Sequence, residues 1–198
     1  MPVAGCGRFA TVGGAQDPSG LLVLVVGPSG AGKDTIMRAV AGRLAGDAGI
    51  VFPRRVVTRA SANAAEDCLL MTVTEFEATE AAGQFLLSWP AHGLHYGIPL
   101  AVETDLAAGR TVIINISRGS ITTAEARVAN TAVVHITASP DVLARRIAAR
   151  ARETIKEIAT RLAREAPLPD SRSMVLEIRN EGTIDDAADR FCAFLAAR

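Results

Sequence analysis

Leu21-Leu22-Val23-Leu24-Val25-Val26-Gly27-Pro28-Ser29-Gly30-Ala31-Gly32-Lys33-Asp34-Thr35 is the stretch on which the fold turns. Its uninterrupted apolar run suits a strand buried on both faces of a parallel sheet. The residues after it fit G-x-x-x-x-G-K, a phosphate-cradling P-loop, in the strand–loop–helix setting that motif requires. Glycines at 27, 30 and 32 let backbone N–H groups turn inward around a polyphosphate. The helix that follows points its positive end at the same charge, and Lys33 reaches the terminal phosphates. The predicted nucleotide-binding set is therefore Gly27, Pro28, Ser29, Gly30, Ala31, Gly32, Lys33, Asp34 and Thr35. One position departs from the motif. A Ser or Thr that ligates Mg²⁺ should follow the lysine, and here Asp34 stands there. Two readings are open: a carboxylate favoured by the helix dipole, or one that approaches the magnesium directly or through water.

Working outward, 198 residues suffice for one α/β domain with a well-buried core and are few for two. Residues 1–20, rich in Gly and Ala, are expected to form a flexible tail ahead of a single domain over 21–198. The formal net charge is zero, so nothing recommends nucleic acid or a polybasic membrane contact. No apolar run approaches a membrane span. Cys6, Cys68 and Cys192 are odd in number and lack C-x-x-C spacing, which fits a reducing cytoplasm.

Helical spacing predicts a helix over 34–45, with Gly46 as its stop. Residues 54–59 and 69–73 read as short strands around a small-residue loop at 60–65. Thr74 with Glu77 has capping-box spacing for a helix. Residues 84–89 read as a strand, 92–99 as a turn-rich stretch, and Pro99 as the opening of a helix to Ala108. Apolar strands are predicted at 111–116, 132–137 and 175–178, with helices starting at Ser139-Pro140-Asp141 and spanning 184–197. Strands alternating with helices argue for a parallel sheet covered on both faces.

Several clusters beyond the loop carry chemistry. Arg145, Arg146, Arg150, Arg152 and Arg161 recur in one helical region whose apolar stripe includes Leu143 and Ile147. Most of these read as a solvated face, yet phosphoryl transfer needs cations around the moving group. Arg55 and Arg59 are spaced to share one face of a strand and one anion. His92-Gly93-Leu94-His95-Tyr96-Gly97 is a donor-rich loop suited to phosphate or sugar hydroxyls, and Trp89 reads as core. The tip of the strand at 111–116 reads Asn115-Ile116-Ser117-Arg118, where P-loop kinases often carry an aspartate. The missing acid makes Asp34 the compensating carboxylate and the predicted metal contact.

From residue 21 to 198 the chain resembles the guanylate-kinase-like branch of the nucleoside-monophosphate kinases. The motifs are Gly27–Lys33, Val57-Thr58-Arg59, Tyr96-Gly97, Val112–Ile116, Arg145-Arg146 with Arg150, Arg161-Leu162 and Asn180. The resemblance implies a P-loop core, an acceptor-binding insert over about 54–98 and an arginine-rich lid over about 145–165. It implies that Lys33, Arg145, Arg150 and Arg161 serve the transferring phosphate, that Asn180 lies by the adenine, and that Arg59 and Tyr96 hold the acceptor's phosphate. Guanylate kinase itself would have a hydroxyl at Asp34, an arginine at Ala62 and Asp-Ile-Asp at 115–117. A guanine pocket needs carboxylate acceptors, each charge-assisted contact being worth roughly 1.5–3 kcal/mol.

Within that branch the chain is more similar to the ribose 1,5-bisphosphate phosphokinases of phosphonate catabolism. The likeness rests on Gly-Pro-Ser-Gly-x-Gly-Lys-Asp, Val57-Thr58-Arg59 with Glu66-Asp67, the run from Trp89 to Pro99, and Asn115-x-Ser117-Arg118. It implies transfer of a phosphoryl group from ATP, with Mg²⁺, to ribose 1,5-bisphosphate, giving 5-phosphoribosyl 1-diphosphate and ADP. The implied acceptor contacts are Arg55, Arg59, Glu66, Asp67, His92, His95, Tyr96, Gly97, Asn115, Ser117 and Arg118. A nucleoside-monophosphate kinase is the enzymatic alternative. A non-catalytic module that binds protein segments is the other, and the retained Lys33 speaks against it.

Overall fold

The computed structural model describes residues 20–59, 68–149 and 170–198. The Ala60–Ala65 loop, Glu66, Asp67, Arg150, Arg161, most of the expected lid and nearly all of the expected tail lie outside the described residues.

The central sheet follows from β1 (Leu21–Val26), every residue of which is buried. Leu21, Val23 and Val25 face one core, while Leu22, Leu24 and Val26 face another, so the strand is apolar throughout because both faces are covered. After the P-loop comes α1 (Lys33–Arg43), then β2 (Ile50–Val51). Later elements complete the layer: α3 (Val102–Ala107), β7 (Thr111–Asn115), α4 (Ile121–Arg127), β8 (Thr131–Thr137), α5 (Pro140–Ala148), β9 (Met174–Arg179) and α6 (Ile184–Ala196). Five parallel strands run in the order β2-β7-β1-β8-β9. Helices α1, α5 and α6 pack on one face, and α3 and α4 on the other. This is the doubly covered parallel sheet the sequence predicts.

A second sheet, order β4-β3-β6-β5, is formed by β3 (Arg55–Val57), β4 (Cys68–Leu70), β5 (Phe85–Ala91) and β6 (Leu94–Pro99). Here the structure corrects three expectations. The stretch 92–99 is a strand and not a run of turns: only His92 and Gly93 turn, both with positive φ (52° and 73°), as a two-residue hairpin requires. Pro99 closes β6, and the helix after it starts at Val102. Helix α2 (Val73–Ala81) is capped by Thr72 with Glu75, not by Thr74 with Glu77. Both pairs satisfy the same spacing; the observed one puts Phe76 inward, where its ring stacks on Phe85 at 4.7 Å. Those hydrogen bonds from Thr72 hold the Glu75 carboxyl below its ordinary pKa.

The alternation of β6 sorts the loop residues of the sequence. Leu94, Tyr96 and Ile98 face the larger core, while His95 lies 5.4 Å from the Phe76 ring on the opposite side. Gly97 lies under Phe85: a Cβ there would fall 2.6 Å from the ring. Its glycine is thus explained by packing. Gly97→Ala should destabilise the chain by about 1–3 kcal/mol in urea unfolding, as overpacked cores do. Adding Phe85→Leu should recover part of that loss, and equal stability of Gly97→Ala and wild type would contradict the packing account.

Candidate active site

The parallel order brings the carboxyl ends of β1, β7 and β8 to one edge, where ligands gather in open α/β sheets. The P-loop leaves β1 at this edge and folds back on itself. Lys33 Nζ donates to the carbonyls of Gly27 (2.8 Å) and Pro28 (3.0 Å), closing the loop around its own lysine. Gly32 ends it with φ 88°, and a Cβ at Gly32 would meet Asn180 Nδ2 at 2.5 Å. That contact has a purpose in the fold. The Asn180 amide donates to the Ala31 carbonyl at 2.8 Å, and its backbone N–H donates to Thr137 at 2.7 Å. Asn180 is 2% exposed, and Oδ1 has no hydrogen-bond partner among the described residues. Arg146 donates to the Asn180 carbonyl at 3.0 Å, and its guanidinium also lies 3.5 Å from the Gly30 carbonyl. The loop is therefore braced from β8, β9 and α5 together.

Arg145, the predicted phosphate ligand of that pair, is exposed and turns its Nε back to the Asp141 carbonyl of its own helix. Helical phase explains the difference. Leu143, Ala144 and Ile147 define the buried face of α5, and Arg146 flanks it while Arg145 lies opposite. The phase was legible in the sequence, and Arg146 is the residue it points to.

An open cleft of about 540 Å³ runs from the P-loop to the second sheet. Gly27, Pro28, Ser29, Lys33 and Asp34 form its nucleotide side, with Asn115, Ser117 and Arg118 at the β7 tip. Arg55, Trp89, His92 and Tyr96 form the opposite wall. Trp89 and Tyr96 stack at 5.7 Å with an 11° interplanar angle, and the Arg55 guanidinium sits 5.4 Å from the Tyr96 ring centre. That aromatic column orients a cation toward the cleft. Trp89 is buried, as expected, yet it also lines the site. Among the described residues the only carboxylate on these walls is Asp34, and Asn115 Nδ2 donates to its Oδ1 at 2.8 Å.

The structure does not bring every predicted contact here. His95 and Gly97 face away, toward α2, because β6 alternates. Arg59 does not share the Arg55 face: β3 ends at Val57, the chain turns with Arg59 N–H on the Val57 carbonyl, and Arg59 lines a separate cleft with Met71 and Glu75.

His135, which the sequence reading passed over, lies in register with Val26, immediately before the P-loop. Its Nδ1 is 3.7 Å from a Glu177 oxygen on β9. Burial pushes its pKa below the ordinary histidine value; Glu177 opposes that shift, while Arg118 and Lys33 add to it. Only strand register reveals this placement.

The chain matches the family model of guanylate kinase over residues 19–193. It is 48% identical over 178 residues to a ribose 1,5-bisphosphate phosphokinase of Methylobacterium radiotolerans, covering 90% of this chain and 98% of that one. It is 54% identical over 152 residues to the protein of the same description in Rhodopseudomonas palustris, covering 76% and 78%. Among solved structures, guanylate kinase of Anaplasma phagocytophilum superposes with a TM-score of 0.68 over 90% of this chain and 85% of that one, at 20% identity. That likeness is one of fold.

Two predictions come from the site. Asn180→Ala should weaken ATP and GTP binding alike, by about tenfold, since it removes a brace on the loop carbonyl. Loss confined to ATP would make Asn180 a reader of the base. His135, with its folded pKa below the unfolded value of 6.5, lets the unfolded chain take up the extra proton. Stability should therefore be full above pH 6.5 and fall as the pH drops toward the folded pKa. His135→Gln should flatten the melting temperature between pH 7 and 5, and an unchanged slope would contradict the assignment.

Proposed function

The chain belongs to the guanylate-kinase family of P-loop phosphotransferases, and from that premise we propose that it transfers the γ-phosphoryl group of ATP to ribose 1,5-bisphosphate. The products are 5-phosphoribosyl 1-diphosphate and ADP. One observation carries the reading of the acceptor: Arg55, His92 and Tyr96, with Arg118 at the β7 tip, converge as donors on the cleft opposite Lys33. Such a donor-rich wall suits a second polyanion. The relatives described as ribose 1,5-bisphosphate phosphokinases support the same choice.

The reaction asks little covalent work of the protein. An ionised oxygen of the acceptor's 1-phosphate attacks the γ-phosphorus, and the bond from that phosphorus to the bridging oxygen of ADP breaks. The nucleophile carries no proton, so no general base is required. The barrier is set by the approach of two anions and by the charge spread over the equatorial oxygens. Lys33 and the inward loop amides hold the donor. Arg55, fixed over Tyr96, and Arg118 at the β7 tip hold the acceptor in line with it. Arg150 and Arg161 complete the expected cationic set around the transferring group; Arg145, turned to the Asp141 carbonyl, is not among them.

A magnesium ion fits the donor set present. Among the described residues no group of three or more His, Cys, Asp or Glu forms a protein cage. Magnesium bound by substrate phosphates wants one or two carboxylates, and Asp34 beside Lys33 supplies one. When bound, the ion neutralises charge between the donor phosphates.

Initial rates with ribose 1,5-bisphosphate, GMP, dGMP and AMP test the proposal. The sugar bisphosphate should exceed every nucleotide in kcat/KM, and a preference for GMP would overturn it. Lys33→Ala should lose about 10²–10³-fold in kcat while still unfolding cooperatively. Turnover that survives the substitution would remove Lys33 from the chemistry.

A further inference from the structure

The hydrogen bond between Asp34 and Asn115 joins two of the positions at which the sequence departs from the guanylate-kinase pattern. That pattern places a hydroxyl after the P-loop lysine and an aspartate at the strand tip. Here the carboxylate is on the helix, in the first turn of α1, and a neutral amide is on the tip of β7. Strand pairing brings them together: Asn115 is in register with Val25, two residues before the loop begins. The donor–acceptor distance is 2.8 Å, and both residues line the cleft beside Lys33.

We propose that the pair is a transposed metal anchor, in which Asp34 carries the charge and Asn115 is a positioning residue that fixes its carboxylate. An amide N–H on Oδ1 holds the carboxylate in one rotamer and leaves Oδ2 its lone pairs for a phosphate-borne magnesium or its water. The transposition keeps one negative charge at the metal and moves it off the strand tip. The tip continues into Ser117 and Arg118, which face the acceptor side of the cleft. A carboxylate on Asn115's position would repel an acceptor that already bears two phosphates; an amide does not. Asn115 is thereby reassigned, from an acceptor contact to a residue acting through Asp34. The metal assignment rests on the chain being a P-loop kinase; only the expected rise in KM rests on an acceptor that bears two phosphates.

The test compares the full-length wild type with Asp34→Ser, Asn115→Ala and the double variant Asp34→Ser/Asn115→Asp. Bound Mn²⁺ is counted by electron paramagnetic resonance with a non-hydrolysable ATP analogue, and affinity for the metal-free analogue is measured in parallel. Asp34→Ser and Asn115→Ala should each weaken Mn²⁺ uptake, the former by about tenfold, without weakening binding of the metal-free analogue. The double variant should regain most of the Mn²⁺ affinity, because its carboxylate approaches the same ion from the strand. Its KM for the acceptor should rise, since the charge now faces that side. A double variant no better than Asp34→Ser would overturn the proposal, as would equal losses with and without metal in Asn115→Ala. No acceptor enters the metal measurements, so their failure is separate from failure of the substrate reading.

Discussion

Like charges must be brought within bonding distance in one cleft, and most of the site is arranged to make that tolerable. A P-loop turned inward by glycines would spring open if its carbonyls faced one another without partners. Lys33, Asn180 and Arg146 take up the carbonyls of Gly27, Pro28, Ala31 and Gly30 from three directions. The brace is anchored in the sheet itself, through the Asn180 N–H on Thr137 of β8. A donor site held this way is organised before any phosphate arrives, so little of the binding energy is spent on ordering it.

The second wall meets the same constraint differently. Arg55 lies over the Tyr96 ring of an aromatic column that includes Trp89. The strand tip is neutral at Asn115 and basic at Arg118, and the single acid among the described lining residues, Asp34, lies on the nucleotide side. Guanylate kinase of Anaplasma phagocytophilum shares the scaffold at 20% identity. On a shared backbone it is the chemistry of the site, not the fold, that selects an acceptor.

Much of this was legible in the residues alone. The run Leu21–Val26 announced a strand covered on both faces, and the alternation of its side chains between two cores is the reason no polar residue interrupts it. An acid at position 34 and none at 115 could be read from sequence, but residues 81 apart are joined only by parallel pairing of β1 with β7. Local signals failed where two local answers were equally good. Thr72 with Glu75 and Thr74 with Glu77 share one spacing, and only the Phe76–Phe85 contact chooses. The Gly- and His-rich stretch before Pro99 has turn composition, yet pairing with β3 and β5 on both sides makes it a strand. Burial of Asn180 and the register of His135 have no signature in a single sequence.

The most direct measurement of the central claim is a ³¹P NMR time course of the protein with ATP, Mg²⁺ and ribose 1,5-bisphosphate. Diphosphate resonances attached to the sugar should grow at the rate that ADP appears, with the 5-phosphate signal unchanged. ADP formation without a sugar-borne diphosphate, or no reaction in a sample that converts GMP, would contradict the account of how this cleft joins two polyanions.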